Sequence, residues 1–299
     1  MPSPESHDIR NMLLEHKPDE LDKRPFPVQR EEWENWEADQ LLPEGTTVKA
    51  RTIGAVPCEV VASGDVDDTY IMMMLHGGGF VLGSCVTHRG LASKISAVCG
   101  VPVLLVDYRL APEHPYPAGL DDAVSVYEHL LNGDYQPEQI ILCGDSAGGG
   151  LVVSAMLRFR EQGLSQPMAG ILLSPWLDLA LTGVSVQAQV DNDPTLLESD
   201  LRYCAGQYVD ESQFHDPLVS PVYADLNGLP PLLIHVGEHE LILSDSVRLA
   251  DNAKAVGIDI QLTIWDEMWH VFHSFAPDLP EANQALADIG AFVKAKTQK

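Results

Sequence analysis

The chain predicts an α/β fold, a mostly parallel eight-stranded sheet flanked by helices, on three observations. Four short, continuous apolar runs, at residues 70–75, 102–106, 170–173 and 231–237, have the length and composition of strands covered on both faces. Stretches of helical periodicity alternate with them, the βαβ rhythm that builds a parallel sheet. A fifth run, 139–143, ends in Gly144-Asp145-Ser146-Ala147-Gly148 and passes at once into the helical pattern of Leu151, Val152, Ala155, Met156 and Phe159. That is strand, sharp turn and helix with a serine at the apex, and small residues flank it because the turn leaves no room for side chains.

The elements follow in order. Residues 1–45 are rich in charge and proline, with Met12, Leu13, Leu14, Trp33, Trp36, Leu41 and Leu42 as apolar islands. Two short amphipathic helices satisfy that pattern and form a cap segment, with Trp33 and Trp36 as packing anchors. Residues 46–299 form the main α/β domain. Segments 47–53 and 57–62 alternate loosely, as a half-exposed hairpin at a sheet edge does. Met72, Met73 and Met74 read as core filler, and helices are expected at 87–98 and 120–131.

Between residues 178 and 228 the rhythm breaks. The segment is too long for an ordinary connection, so a cap insertion at about 180–228, with one helix at 199–209, is expected over the C-terminal edge of the sheet. Its acidic residues Asp191, Asp193, Glu198 and Asp200 lack the spacing of a calcium loop and read as a solvated loop and helix N-cap. The run at 231–237, a helix at 244–256, a last strand at 259–265 and a closing helix at 282–293, with Ala285, Leu286, Ile289 and Phe292 on one face, complete the chain. The last strand is an exposed edge in this reading, so a homodimer paired along it is possible.

Charge excludes several classes. Against 18 Lys and Arg stand 44 Asp and Glu, a net charge of -26 over 299 residues. That field repels phosphate backbones and anionic lipid, so neither nucleic-acid binding nor stable membrane association is expected. The acidity fits either a saline habitat or drift. Cys58, Cys85, Cys99, Cys143 and Cys204 are odd in number and scattered, as buried thiols of a reducing compartment are. No Cys/His cluster suggests a metal, and no cofactor is implied. The start of the sequence lacks the basic and apolar regions of a signal peptide, so a cytoplasmic location is expected.

A serine hydroxyl becomes a nucleophile when a base takes its proton, and the base needs a carboxylate to fix its tautomer. On scaffolds with this elbow the order along the chain is serine, acid, histidine. Six histidines precede Ser146, and His215, His235 and His239 precede or abut the acid, which leaves His270 and His273. His270, in the loop after the last strand, is preferred. The acid is expected just after the strand at 231–237, where Glu238, Glu240 and Asp245 compete. Glu240 lies in the loop itself and is preferred over Asp245, which falls in the next helix. Donors for a tetrahedral oxyanion are available from the backbone N–H groups of Gly78, Gly79 and Ala147, the first two in His76-Gly77-Gly78-Gly79 at a buried strand's end.

With these residues assembled, the chain resembles the hormone-sensitive-lipase-like family of bacterial carboxylesterases within the α/β-hydrolase superfamily, from about residue 70 to 272. The motifs that carry the likeness are His76-Gly77-Gly78-Gly79, Tyr108-Arg109-Leu110-Ala111-Pro112-Glu113-His114, Gly144-Asp145-Ser146-Ala147-Gly148-Gly149, Ser174-Pro175-Trp176-Leu177-Asp178-Leu179 and Asp216-Pro217-Leu218-Val219-Ser220-Pro221. The resemblance implies Ser146 as nucleophile, His270 as base, Gly78, Gly79 and Ala147 as oxyanion donors, and His76 as a residue that shapes the glycine loop. It also implies an N-terminal helical cap and an ester as small-molecule substrate. One departure stands out: the family carries aspartate before Pro-Leu where this chain has Glu240-Leu241-Ile242. Lactone or amide hydrolysis by the same residues, acyl transfer, and a non-catalytic receptor on the same scaffold are the rival readings. The stretch 108–117, with its prolines, arginine and glutamate, reads as a braced turn beneath the site.

Overall fold

The computed structural model describes residues 2–17, 22–133 and 135–297. Its sheet has eight strands: β1 (Thr46–Ile53), β2 (Val56–Ser63), β3 (Ile71–Leu75), β4 (Val103–Val106), β5 (Ile140–Asp145), β6 (Ala169–Leu173), β7 (Leu232–Gly237) and β8 (Ile260–Trp265). Their spatial order is β1-β2-β4-β3-β5-β6-β7-β8. The β1–β2 hairpin joins β4 antiparallel, and every pairing from β4 to β8 is parallel. Strands β3 to β7 are buried along their whole length, whereas β1 and β8 are largely half-exposed or exposed. That contrast is why the inner strands are continuous apolar runs while the edges alternate. Met72, Met73 and Met74 are fully buried, on alternating faces.

Nine helices are found among the described residues: α1 (Pro4–His16), α2 (Phe26–Ala38), α3 (Cys85–Cys99), α4 (Ala118–Asn132), α5 (Ala147–Gln162), α6 (Ser185–Ala188), α7 (Glu198–Tyr208), α8 (Leu243–Ala255) and α9 (Pro280–Thr297). Helices α3 and α9 contribute to the core on one face of the sheet, and α4, α5 and α8 to that on the other. Helix α3 starts at a reciprocal capping box of Ser84 and Thr87 and stops at Gly100, whose φ of 68° is the left-handed conformation that ends helices. No helix among the described residues is long and apolar enough to cross a membrane.

Two expectations need correction. Trp36 is not a packing anchor: it is 63 % exposed, while Trp33 alone turns inward, edge-on to His88 with ring centroids 5.7 Å apart. Helix α2 presents only one of two tryptophans three residues apart to α3. The acidic cluster is not simply a solvated loop and helix cap either. Asp193 is fully buried and accepts from the N–H of Thr195, Leu196 and, across the fold, Leu241; the N-cap of α7 is Leu197, with no side-chain cap. The turn at 108–117 is braced as expected: His114 N donates to Leu110 O within it, and from outside Arg109 pairs with Asp122 of α4 and Glu113 with Arg30 of α2.

Candidate active site

Ser146 caps α5 with φ 52° and ψ -124°, a backbone conformation that costs a non-glycine residue energy and persists only where the surroundings hold it. Three backbone hydrogen bonds hold it: its N–H donates to Leu173 O (2.9 Å), and its carbonyl accepts from Trp176 N (2.9 Å) and Gly150 N (3.2 Å). The flanking glycines are obligatory. A Cβ on Gly144 would overlap the Gly148 carbonyl, and one on Gly148 would overlap the Leu75 and His76 carbonyls. The elbow is therefore wedged between the ends of β3 and β6, which leaves Ser146 8 % exposed at the mouth.

The glycine loop after β3 lies beside it. Gly78 (φ 111°), Gly79 (φ 62°) and Phe80 (φ 66°) all have positive φ, and the Gly78 carbonyl accepts from Leu82 N at 2.8 Å. Among the described residues no acceptor is found for the N–H of Gly78 or Gly79, and Ala147, the first residue of α5, has an N–H with no partner inside its helix. Helix α7 closes over this loop. Tyr208 stacks on Phe80 at 3.9 Å, and Cys204 sits so near Gly79 that a Cβ there would lie 3.1 Å from its Sγ.

On the other side, the loop after β7 brings Glu240 to His270, with Glu240 Oε2 2.9 Å from His270 Nδ1. Glu240 is fully buried, and its second oxygen accepts from Ser174 Oγ (2.7 Å) and Gly237 N (2.5 Å). Ser174 Oγ in turn accepts from Val271 N at 3.0 Å. One hydroxyl at the end of β6 thus ties the carboxylate to the histidine's own loop. Burial is the largest influence on His270 and pushes its pKa down. The hydrogen bond that the ring donates to Glu240 and the charges of Glu240, Asp193 and Asp145 outweigh it, so the ring holds its proton above the ordinary imidazole range.

The competing residues lie elsewhere. Asp245 is in α8, where its Oδ2 accepts from Leu177 N and Asp178 N at 2.9 Å each, and burial pushes its pKa up to about 8. Glu238 Oε2 accepts from Glu267 N. His273 is buried against His235, with His235 Nδ1 and His273 Nε2 3.3 Å apart. Sequence reasoning missed Ser174 and Asp193 as supports of the acid and histidine. Ser174 was visible as the end of a strand and the start of a family motif, with no role attached, and Asp193 only as one acidic residue among several.

This sheet order, with a serine elbow on its fifth strand, is the architecture of an α/β hydrolase. The sequence agrees, since residues 72–274 match the family described as alpha/beta hydrolase fold. An esterase of Acinetobacter venetianus is 39 % identical over 257 residues, 85 % of this chain and 84 % of that protein. An acetyl-hydrolase of Streptomyces hygroscopicus is 38 % identical over 254 residues, 82 % and 85 % of the two chains. Among solved structures, an esterase from the bacterial hormone-sensitive lipase family superposes with a TM-score of 0.93 at 40 % identity, covering 99 % of each chain. EstE5, soaked with p-nitrophenyl butyrate, superposes with a TM-score of 0.94 at 37 % identity, covering 99 % of this chain and 100 % of that one. The chain belongs to the bacterial hormone-sensitive-lipase family of α/β hydrolases, a family of esterases.

Proposed function

We propose that the chain is a serine carboxylesterase that hydrolyses short- to medium-chain acyl esters through an acyl-enzyme. The observation that carries this reading is the Glu240–His270 pair. With Nδ1 held by a buried carboxylate at 2.9 Å, the ring's basic nitrogen is Nε2, the tautomer needed to take a hydroxyl proton. Ser146 attacks the ester carbonyl as His270 Nε2 accepts its proton. The oxyanion is received by the N–H groups of Gly78, Gly79 and Ala147, and His270 then protonates the departing alcohol. Water, deprotonated by the same nitrogen, releases the acid. Glu240 holds the ring in that orientation and stabilises the imidazolium.

The N-terminal segment, residues 1–45, and the insertion at about 180–228 together cap the catalytic domain, 46–299. Phe26 of α2 stacks on Tyr203 of α7 at 5.7 Å, and Arg30 donates to the carbonyls of Val81 and Ala111 at 2.7 Å each, so both pieces lean on the glycine loop. Small acyl groups fit this reading, and the names of the acetyl-hydrolase relative and of the butyrate ester soaked into EstE5 support it. Among the described residues strand β8 pairs only with β7, so that open edge is where two copies would join in a homodimer.

The test is a p-nitrophenyl ester series on wild type and Ser146→Ala. Acetyl to hexanoyl esters are expected to be cleaved faster than palmitoyl, with no turnover by the variant; wild-type rates in Ser146→Ala would overturn the mechanism. Because His270 must be neutral to act and its pKa is raised, kcat/KM should still be climbing at neutral pH. A profile already flat well below neutrality would contradict that assignment.

A further inference from the structure

Beneath the glycine loop lies a second histidine–carboxylate pair that the mechanism above does not use. Asp145, the residue before Ser146, is 3 % exposed and His88 of α3 is 5 % exposed; His88 Nε2 lies 3.3 Å from Asp145 Oδ2. Both reach the backbone N–H of Gly77, which is 3.2 Å from Asp145 Oδ1 and 3.3 Å from His88 Nε2. A side chain at Gly77 would overlap Asp145, so the carboxylate touches the loop directly.

Thr87 supplies a partner for one of the ring's two nitrogens. Thr87 Oγ1 has a single hydrogen and donates it to Ser84 O (2.9 Å), while accepting from Ser84 N (2.9 Å). With that hydrogen on Ser84 O, the hydroxyl accepts from His88 Nδ1, 2.8 Å away, and in this arrangement Nδ1 carries a hydrogen. The state of Nε2 remains, and it has two forms. Protonated, it donates to Asp145 Oδ2 and leaves Oδ1 to Gly77 N–H. Neutral, it takes the Gly77 N–H itself and turns a lone pair toward a buried carboxylate.

We propose that His88 and Asp145 are positioning residues that clamp the oxyanion loop, and that the clamp is closed only while His88 Nε2 is protonated. This inference rests on the assignment of Gly78 and Gly79 as oxyanion donors. The groups facing His88 are Asp145 from β5, His76 just after β3 with ring centroids 5.3 Å apart, and Glu37 and Trp33 from α2. His76 is kept neutral, its pKa pushed down to about 3, chiefly by burial, and so adds no charge. Burial also pushes His88 down, but Asp145 and then Glu37 outweigh it and raise its pKa above the ordinary range. The clamp therefore opens as the pH rises past the ordinary imidazole range. His270 and His88 would thus set opposite limbs of one pH profile: the first must lose its proton for activity, the second must keep it.

The deciding experiment is the pH dependence of kcat and KM for p-nitrophenyl butyrate in wild type, His88→Gln, His88→Ala and Ser146→Ala. Glutamine places a non-titrating N–H donor near Nε2. Wild type is expected to lose kcat at high pH, His88→Gln to keep the acid limb but lose the alkaline one, and His88→Ala to fall about 10²-fold in kcat with KM little changed, the scale of one lost oxyanion donor. An alkaline limb unchanged in His88→Gln, no alkaline limb in wild type, or a kcat in folded His88→Ala near that of wild type would each overturn the clamp. If His88→Ala does not fold, the glutamine profile decides alone. Turnover by Ser146→Ala would instead remove the esterase mechanism itself, so the two failures are distinct.

Discussion

The two halves of the candidate site are built by different means. On the side of β3 and β5, position is set by backbone: four residues at positive φ, glycines whose Cβ would meet a carbonyl, and N–H groups presented by a loop and a helix start. On the side of β6 and β7, position is set by side chains from distant parts of the chain, with Glu240 held between Ser174, Gly237 N–H and His270. A backbone-built half tolerates almost no change at its small residues. A side-chain-built half loses function in steps as partners are removed.

The sharpest break in that comparison is Gly148→Ala. One methyl group there has only backbone to displace, the carbonyls of Leu75 and His76, so loss of soluble folded protein is expected, read by circular dichroism. A folded, active Gly148→Ala would show the elbow to be less rigid than its packing implies.

Glu240→Gln is next. The amide keeps the shape but can present N–H to His270 Nδ1 and favour the wrong tautomer, so a loss of about 10³-fold or more in kcat is expected, with thermal stability changed little. Smaller still is Ser174→Ala, which frees one lone pair of Glu240 and the N–H of Val271. A drop of about tenfold in kcat, with KM unchanged, would place Ser174 as a support rather than a participant. Asp245→Asn marks the floor of the series: its oxygen can still accept from Leu177 N and Asp178 N, and kcat should stay within about threefold of wild type. A loss as large as that of Glu240→Gln would reassign the acid.

Both halves share one liability. His76 and His235 are buried and neutral, with pKa values pushed down to about 3 and about 4, chiefly by burial, from an ordinary 6.5. Below pH 6.5 the unfolded chain binds protons at these sites that the native state refuses, so stability falls with falling pH through that window and is unaffected by these groups above it. Urea midpoints measured from pH 7.5 to 4.5 should decline steadily, and His235→Leu should flatten part of the decline.

Much of this molecule was legible in the sequence because backbone chemistry leaves local marks. Continuous apolar runs record strands covered on both faces, loose alternation records the half-exposed β1 edge, and Gly-Asp-Ser-Ala-Gly records a turn with no room for side chains. The order serine, acid, histidine narrowed eleven histidines to two, and the helix expected at 244–256 gave Glu240 the preference over Asp245 while leaving the choice open.

What the sequence could not contain was which distant side chains meet. Trp33 and Trp36 look alike in a helical pattern, yet one packs on His88 and the other is left to solvent, because only tertiary packing chooses the face. Asp193 reads as one acid among four until the fold buries it against Leu241 N–H. The Ser174 bridge joins residues 66 apart on one side and 97 on the other. Local sequence determines what the backbone must do at each position. A hydrogen bond between side chains remote in sequence leaves no such mark, because it exists only once the sheet has brought the ends of its strands to one edge.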